Sequence, residues 1–121
     1  MHLVLEIYYN VILIMWRGSL TALMKLEKNI QENIAIVKLE GYLDMGTFRE
    51  FELYIQDLVT TQIENIGIDL SKCRAIDSSG MGCILRIMNN LKAKNKRLTL
   101  LDVPSNIKGI LKISQIDKYL K

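Results

Sequence analysis

The chain has 121 residues, Lys+Arg 16 against Asp+Glu 13, 50% apolar content, seven Gly and one Pro, which is the size of one domain with a core that needs no staple and excludes collagen-like, low-complexity and disordered chains. A net charge of +3 is too mild for the dense basic stripe of a nucleic-acid binder, so no direct contact with nucleic acid is expected. Two cysteines, Cys73 and Cys83, fit a reducing compartment, and a single histidine, His2, removes most chemistry that needs a histidine base or a His/Cys metal cluster.

Residues 1–23 differ from the rest, with an apolar run from Val11 to Trp16. They carry no basic n-region and no small-residue cleavage pattern, so they do not read as a secretory signal. Glu6, Asn10 and Arg17 interrupt them short of the roughly 20 apolar residues of a spanning helix. Three readings stay open for this extension: an extra buried strand or helix, a translation start at Met24, or a membrane-contacting segment.

From Met24 onward the pattern is regular. Ile34–Leu39 is β-branched-rich and bounded by Asn33 and Gly41, a strand, with residues 25–30 as its partner and Glu32-Asn33 in the turn. A helix is expected from near Gly46, capped by Asp44 or Thr47, with Phe48, Phe51, Ile55 and Leu58 as its apolar stripe. Ile66, Ile68 and Leu70 alternate with Gly67 and Asp69 as a strand, and residues 71–75 are expected as a loop. A second helix is expected from about Ser79 to Lys94, with Met81, Ile84, Leu85, Met88 and Leu91 inside. Arg97–Leu101 is a strand and Pro104 breaks it. Ser105 is placed to cap a third helix with Ile107, Ile110 and Leu111 inside, and Ile116–Leu120 closes the chain. Strands alternating with helices give an α/β fold, a mixed β-sheet of about four to five strands with helices packed on it.

One stretch concentrates the candidate chemistry, Asp77-Ser78-Ser79-Gly80-Met81-Gly82. It places Ser78 at or just before a helix N-terminus, where unpaired amides and the helix dipole accept negative charge, with Gly80 and Gly82 keeping bulk low. The ordinary role of Asp-Ser-Ser-Gly there is an N-cap and a turn glycine. The same placement suits a hydroxyl that accepts phosphate. No Gly-x-Ser-x-Gly elbow, P-loop or dinucleotide fingerprint is present, so no catalytic residue, metal ligand or cofactor site is assigned. Cys73 and Cys83 are read as small buried hydrophobes, and the run Lys92, Lys94, Lys96 and Arg97 as a solvated helix end.

Residues 24–121 together resemble the STAS domain, specifically bacterial anti-sigma factor antagonists. The resemblance runs through Gly41-Tyr42-Leu43-Asp44, Ile68-Asp69-Leu70-Ser71 and, most sharply, Ile76-Asp77-Ser78-Ser79-Gly80-Met81-Gly82. The Leu100 strand, Pro104 and the Ile107–Leu111 helix follow in order. Met81 stands where leucine is usual, and Ile113-Ser114-Gln115-Ile116 lacks a frequent glycine. The resemblance implies a cytoplasmic, non-enzymatic module that binds an anti-sigma factor serine kinase and releases it once Ser78 is phosphorylated, a phosphatase then resetting the serine. Transcription is thereby regulated by partner switching. It implies a contact surface of Asp44, Asp77, Ser78, Ser79, Gly80 and Met81 with Tyr42 at its border, and it allows a homodimer. A phosphoryl group brings about −1.5 to −2 charges. A loss of about 3–4 kcal/mol at the interface would weaken binding by two to three decades. Two alternatives stand beside it: a STAS subunit of a membrane transporter or lipid-trafficking complex, and a small hydrolase using Ser78.

Overall fold

The structure is a computed structural model and describes residues 24–59 and 62–113. β1 (Met24–Gln31) and β2 (Ile34–Leu43) form the antiparallel hairpin that the sequence pattern predicts, turning at Glu32 with a left-handed φ of 56°. Alternation along β2 gives the sheet two unlike faces: Ala35, Val37 and Leu39 are fully buried, while Ile34, Ile36 and Glu40 look the other way.

α1 (Phe48–Val59) carries the chain back to β3 (Asn65–Asp69), which lies parallel to β2. β3 is flanked by β2 and by β5 (Arg97–Leu101), again in parallel, and Ile66, Gly67 and Ile68 in its middle are all buried. A parallel strand with neighbours on both sides and a covered face reads as a nearly continuous apolar run. β4 (Cys73–Ile76) pairs with the far end of β2 beyond β3, so the hydrogen-bonded order is β1-β2-β3-β5 with β4 beside β2. Gly41, at φ 110°, marks the register shift that lets β2 turn from β1 to β4.

This short strand corrects the loop expected over residues 71–75. Its burial runs buried, exposed, exposed, buried, so no period-two pattern announces it.

α2 (Ser78–Ala93) and α3 (Ser105–Ile113) complete the chain. Phe51, Ile55, Leu58 and Val59 of α1 meet Met81, Cys83, Ile84, Ile87, Met88 and Leu91 of α2 and the buried face of the sheet in one core. Each fully buried Leu or Ile adds about 1.5–3 kcal/mol relative to an exposed one. At the surface the Arg86 guanidinium clamps α2 to α1, donating from Nε to Glu52 Oε1 at 2.8 Å and from Nη2 to Oε2 at 3.2 Å, and it lies 5.7 Å from the Phe48 ring centroid.

Two expected inward residues are half outside. Leu85 and Ile110 are each 37% exposed, while Cys83 and Ile87 take the inner places on α2. α2 packs against α1 as well as the sheet, so its buried arc is wider than a single stripe and turned toward Cys83 and Ile87. Ser105 is the first residue of α3 rather than its cap, and the Pro104 carbonyl accepts from the amides of Ile107 and Lys108. Residues 1–23, Ile116–Leu120 and His2 lie outside the described residues.

Candidate functional site

The site is the place where the loop between β2 and α1 meets the first turn of α2. In that turn Asp77 is extended (φ −97°, ψ −173°) and its Oδ1 accepts from the Gly80 amide at 2.9 Å, a side-chain N-cap. Its carbonyl takes the Met81 amide at 2.9 Å. The other carboxylate oxygen, Oδ2, accepts from the Met45 amide at 3.0 Å, and the Asp77 amide donates to the Leu43 carbonyl at 3.2 Å. Asp77 thus caps its own helix and also ties that helix to the neighbouring loop.

The loop is stiffened from within. Asp44 Oδ1 accepts from the Gly46 amide at 2.9 Å, and its carbonyl accepts from the amides of Thr47 and Phe48. Thr47 is only 1% exposed. Its Oγ1 accepts from the Asp44 amide at 3.0 Å and donates to the Tyr42 carbonyl at 2.7 Å. The hydroxyl expected to cap α1 is spent on holding the loop closed.

Gly80 sets how near α2 comes to the sheet. A Cβ at this position would lie 2.2 Å from the Leu43 carbonyl oxygen, so no larger residue fits without displacing backbone. Gly82 has no such neighbour, its closest being Arg86 Nη1 at 3.4 Å, an ordinary contact distance. The two glycines of the motif therefore do different work. The tight one presses the start of α2 against the end of β2, which brings Ser78 beside Asp77 and the 43–47 loop.

Ser78 is the first residue of α2 and is exposed; Ser79 is half-buried. With Gly80 and Met81 amides satisfied by Asp77, the amides of Ser78 and Ser79 have no hydrogen-bond partner among the described residues. The helix end thus keeps donors free at the position where negative charge would appear.

Of the six residues expected at the contact surface, four bring atoms to it: Asp44, Asp77, Ser78 and Ser79. Gly80 and Met81 lie beneath. Gly80 is buried against Leu43, and Met81, 6% exposed, belongs to the core. Their contribution is to position the helix, because apolar contacts toward α1 and the sheet outweigh anything available at the surface. Beside them the structure exposes a residue that sequence inspection did not single out. Met45 is 76% exposed at the tip of the same loop, and only its burial and the Asp77 bond, 32 residues away in sequence, single it out. Tyr42, 36% exposed, borders the surface.

The cysteines are inert. Burial pushes the Cys73 thiol up to about 11 and the Cys83 thiol up to about 12, the latter helped by Glu52. Among the described residues no group of three or more His, Cys, Asp or Glu side chains could hold a metal ion, and no helix is long and apolar enough to cross a membrane. A cavity of about 610 Å³ lined by Lys25, Glu40, Tyr42, Lys72 and Arg74, among others, does not include Ser78. The serine stands on a surface, which suits docking better than enclosure of a small substrate.

A family model described as the STAS domain matches residues 25–121. Among solved structures, the chain is similar to the anti-sigma factor antagonist SpoIIAA in its unphosphorylated form, at 21% identity over 81% of this chain and 85% of that one, with a TM-score of 0.71. The phosphorylated form of SpoIIAA from Bacillus matches at 21% identity over 81% and 88%, with a TM-score of 0.66. An anti-sigma factor antagonist from Mycobacterium paratuberculosis matches at 18% identity over 80% and 82%, with a TM-score of 0.72. A sulfate transporter family protein from Wolinella succinogenes matches at 14% identity over 77% and 80%, with a TM-score of 0.66. At such identities the likeness carries the fold.

Proposed function

The chain belongs to the STAS domain family, and from that premise we propose that it is an anti-sigma factor antagonist switched at Ser78. The family is a regulatory, non-enzymatic one, so Ser78 acts as a substrate hydroxyl that is modified and not as a catalytic nucleophile. Unmodified, the surface of Asp44, Met45, Asp77, Ser78 and Ser79 docks an anti-sigma factor that is itself an ATP-dependent serine kinase, freeing the sigma factor. Phosphorylated, it lets go. A phosphatase restores the hydroxyl, and the cycle runs in the cytoplasm.

The observation that carries this is the exposure of Ser78 at the first position of α2, fixed there by the Asp77 cap and by Gly80. A solved relative exists in phosphorylated and unphosphorylated forms, which supports the same chemistry here. The free amides and dipole of α2 stabilise an added phosphate by roughly 0.3–1 kcal/mol, so modification leaves the domain folded. The partner must desolvate that charge beside two carboxylates, and it has no such compensation. The switch is local and electrostatic.

Binding to the kinase, measured by calorimetry, tests the proposal. Ser78→Ala should bind as tightly as the unmodified protein and resist release by ATP. Ser78→Asp should bind a hundredfold or more weaker, and equal affinities for the two would refute the switch. One neighbour is a sulfate transporter family protein, which favours a second reading as a regulatory subunit of a transporter or lipid-trafficking complex. Capture of permease subunits by the Ser78→Ala protein, with no ATP-dependent kinase retained, would select it.

A further inference from the structure

The cavity of about 610 Å³, where the start of β1 and the end of β2 meet the β3–β4 loop, has no part in the Ser78 switch. Its size is that of a small-molecule site. Its wall joins three cations from three segments, Lys25 of β1, Lys72 of the loop and Arg74 of β4, to one carboxylate, Glu40 of β2. Lys25 is already engaged, its ammonium 3.2 Å from Glu27 Oε1. The side chains of Lys72, Arg74 and Glu40 make no ion pair or hydrogen bond among the described residues. Cations gathered on a concave wall raise the local concentration of anions.

The backbone holds these side chains in place. Gly41 pairs with Cys73 and Tyr42 with Ala75, so Arg74 is an extra residue with no opposite number on β2. A bulge of this kind re-aims the side chain it inserts. The Arg74 carbonyl accepts from Asn106 Nδ2 of α3 at 3.2 Å, and the Lys72 carbonyl accepts from the Gly41 amide at 3.1 Å. The Ser71 amide donates to Asp69 Oδ1 at 2.9 Å. Loop and bulge are thus fixed before a ligand arrives, which lowers the cost of binding one.

A guanidinium beside ammonium groups suits a phosphate dianion, because two N–H groups of the arginine take two of its oxygens at once. Glu40 is the discriminating group. An ionised carboxylate repels a bare anion but accepts hydrogen bonds from hydroxyls, so it favours a ligand that carries both. We propose that this cavity binds a small hydroxylated phosphate monoester, of the class of sugar and polyol phosphates, with Lys72 and Arg74 on the phosphate and Glu40 on the hydroxyls. The same chemistry occurs in free metabolites and on inositol lipid headgroups. The assignment is independent of the Ser78 switch.

Glucose 6-phosphate is the probe, followed by amide NMR and calorimetry on the full chain. A dissociation constant on the order of 0.1–1 mM is expected for a ligand of this size, with saturable shifts at Gly41 and residues 71–74 and none at Ser78. Lys72→Gln and Arg74→Gln should each weaken binding about tenfold. Both positions are exposed, and melting curves with the wild-type transition would confirm their fold. Glu40→Gln should abolish the preference over inorganic phosphate while inorganic phosphate itself binds as well or better. Lys94→Gln, an exposed charge just after α2, should change nothing. Competition by vesicles carrying phosphatidylinositol 4-phosphate, and not by phosphatidylcholine alone, assigns the phosphate to a headgroup; binding without such competition assigns it to a free metabolite. The proposal is overturned if nothing saturates by about 10 mM, or if the shifts centre on Ser78. It is equally overturned if Lys94→Gln costs as much as Arg74→Gln, or if the wild type binds inorganic phosphate as tightly as glucose 6-phosphate.

Discussion

α1 and α2 begin with the same ingredients, an aspartate followed closely by a hydroxyl, and use them in opposite ways. Before α1, Asp44 makes a turn and Thr47 is buried, its hydroxyl consumed by the Asp44 amide and the Tyr42 carbonyl. Before α2, Asp77 does all the capping and Ser78 is left exposed. The lesson is that a hydroxyl near a helix start becomes available for chemistry only when a neighbour has taken over its structural duty. Asp77 relieves Ser78; nothing relieves Thr47.

The contrast breaks most visibly in binding. Ser78→Asp should weaken kinase affinity by two to three decades, a loss of about 3–4 kcal/mol, measured by calorimetry, whereas Ser78→Ala should move neither affinity nor, beyond about 0.5 kcal/mol, stability. Next comes Gly80→Ala, which forces a methyl into the Leu43 carbonyl and should cost about 3 kcal/mol in urea melts. Thr47→Val keeps the shape but strands the Asp44 amide and the Tyr42 carbonyl, for an expected loss of about 1–3 kcal/mol by the same assay. Asp77→Ala should cost about 1 kcal/mol through the lost cap and loosen the Met45 amide, seen as faster hydrogen exchange there. Smallest is Gly82→Ala, where a Cβ meets only the Arg86 side chain at 3.4 Å and the gain in helix propensity should stabilise by about 0.5–1 kcal/mol. Opposite signs at Gly80 and Gly82 would confirm that only one glycine of the motif is a packing requirement.

Much of this was legible in the chain itself. β2, β5 and the stripe of α1 follow from period-two and helical spacing, because each buries one face against a single neighbour. β4 escaped because it is short and pairs through the shift at Gly41, a feature of tertiary register without a local signature. Leu85 was misplaced for a related reason: α2 touches two partners, and a stripe drawn for one partner points slightly wrong. At the site, Asp77 and Ser78 could be found from the motif. Met45 could not, since its exposure depends on a loop held by a residue 32 positions away. Gly80 and Met81 were found from the motif too, but their burial could not be read from it.

Site mapping by mass spectrometry after incubation with the cognate kinase and ATP tests the central claim most directly. A single phosphate on Ser78, absent from the Ser78→Ala protein and with Ser79 unmodified, is the expected result. Phosphate on Ser79, or none on a protein that binds the kinase, would contradict it.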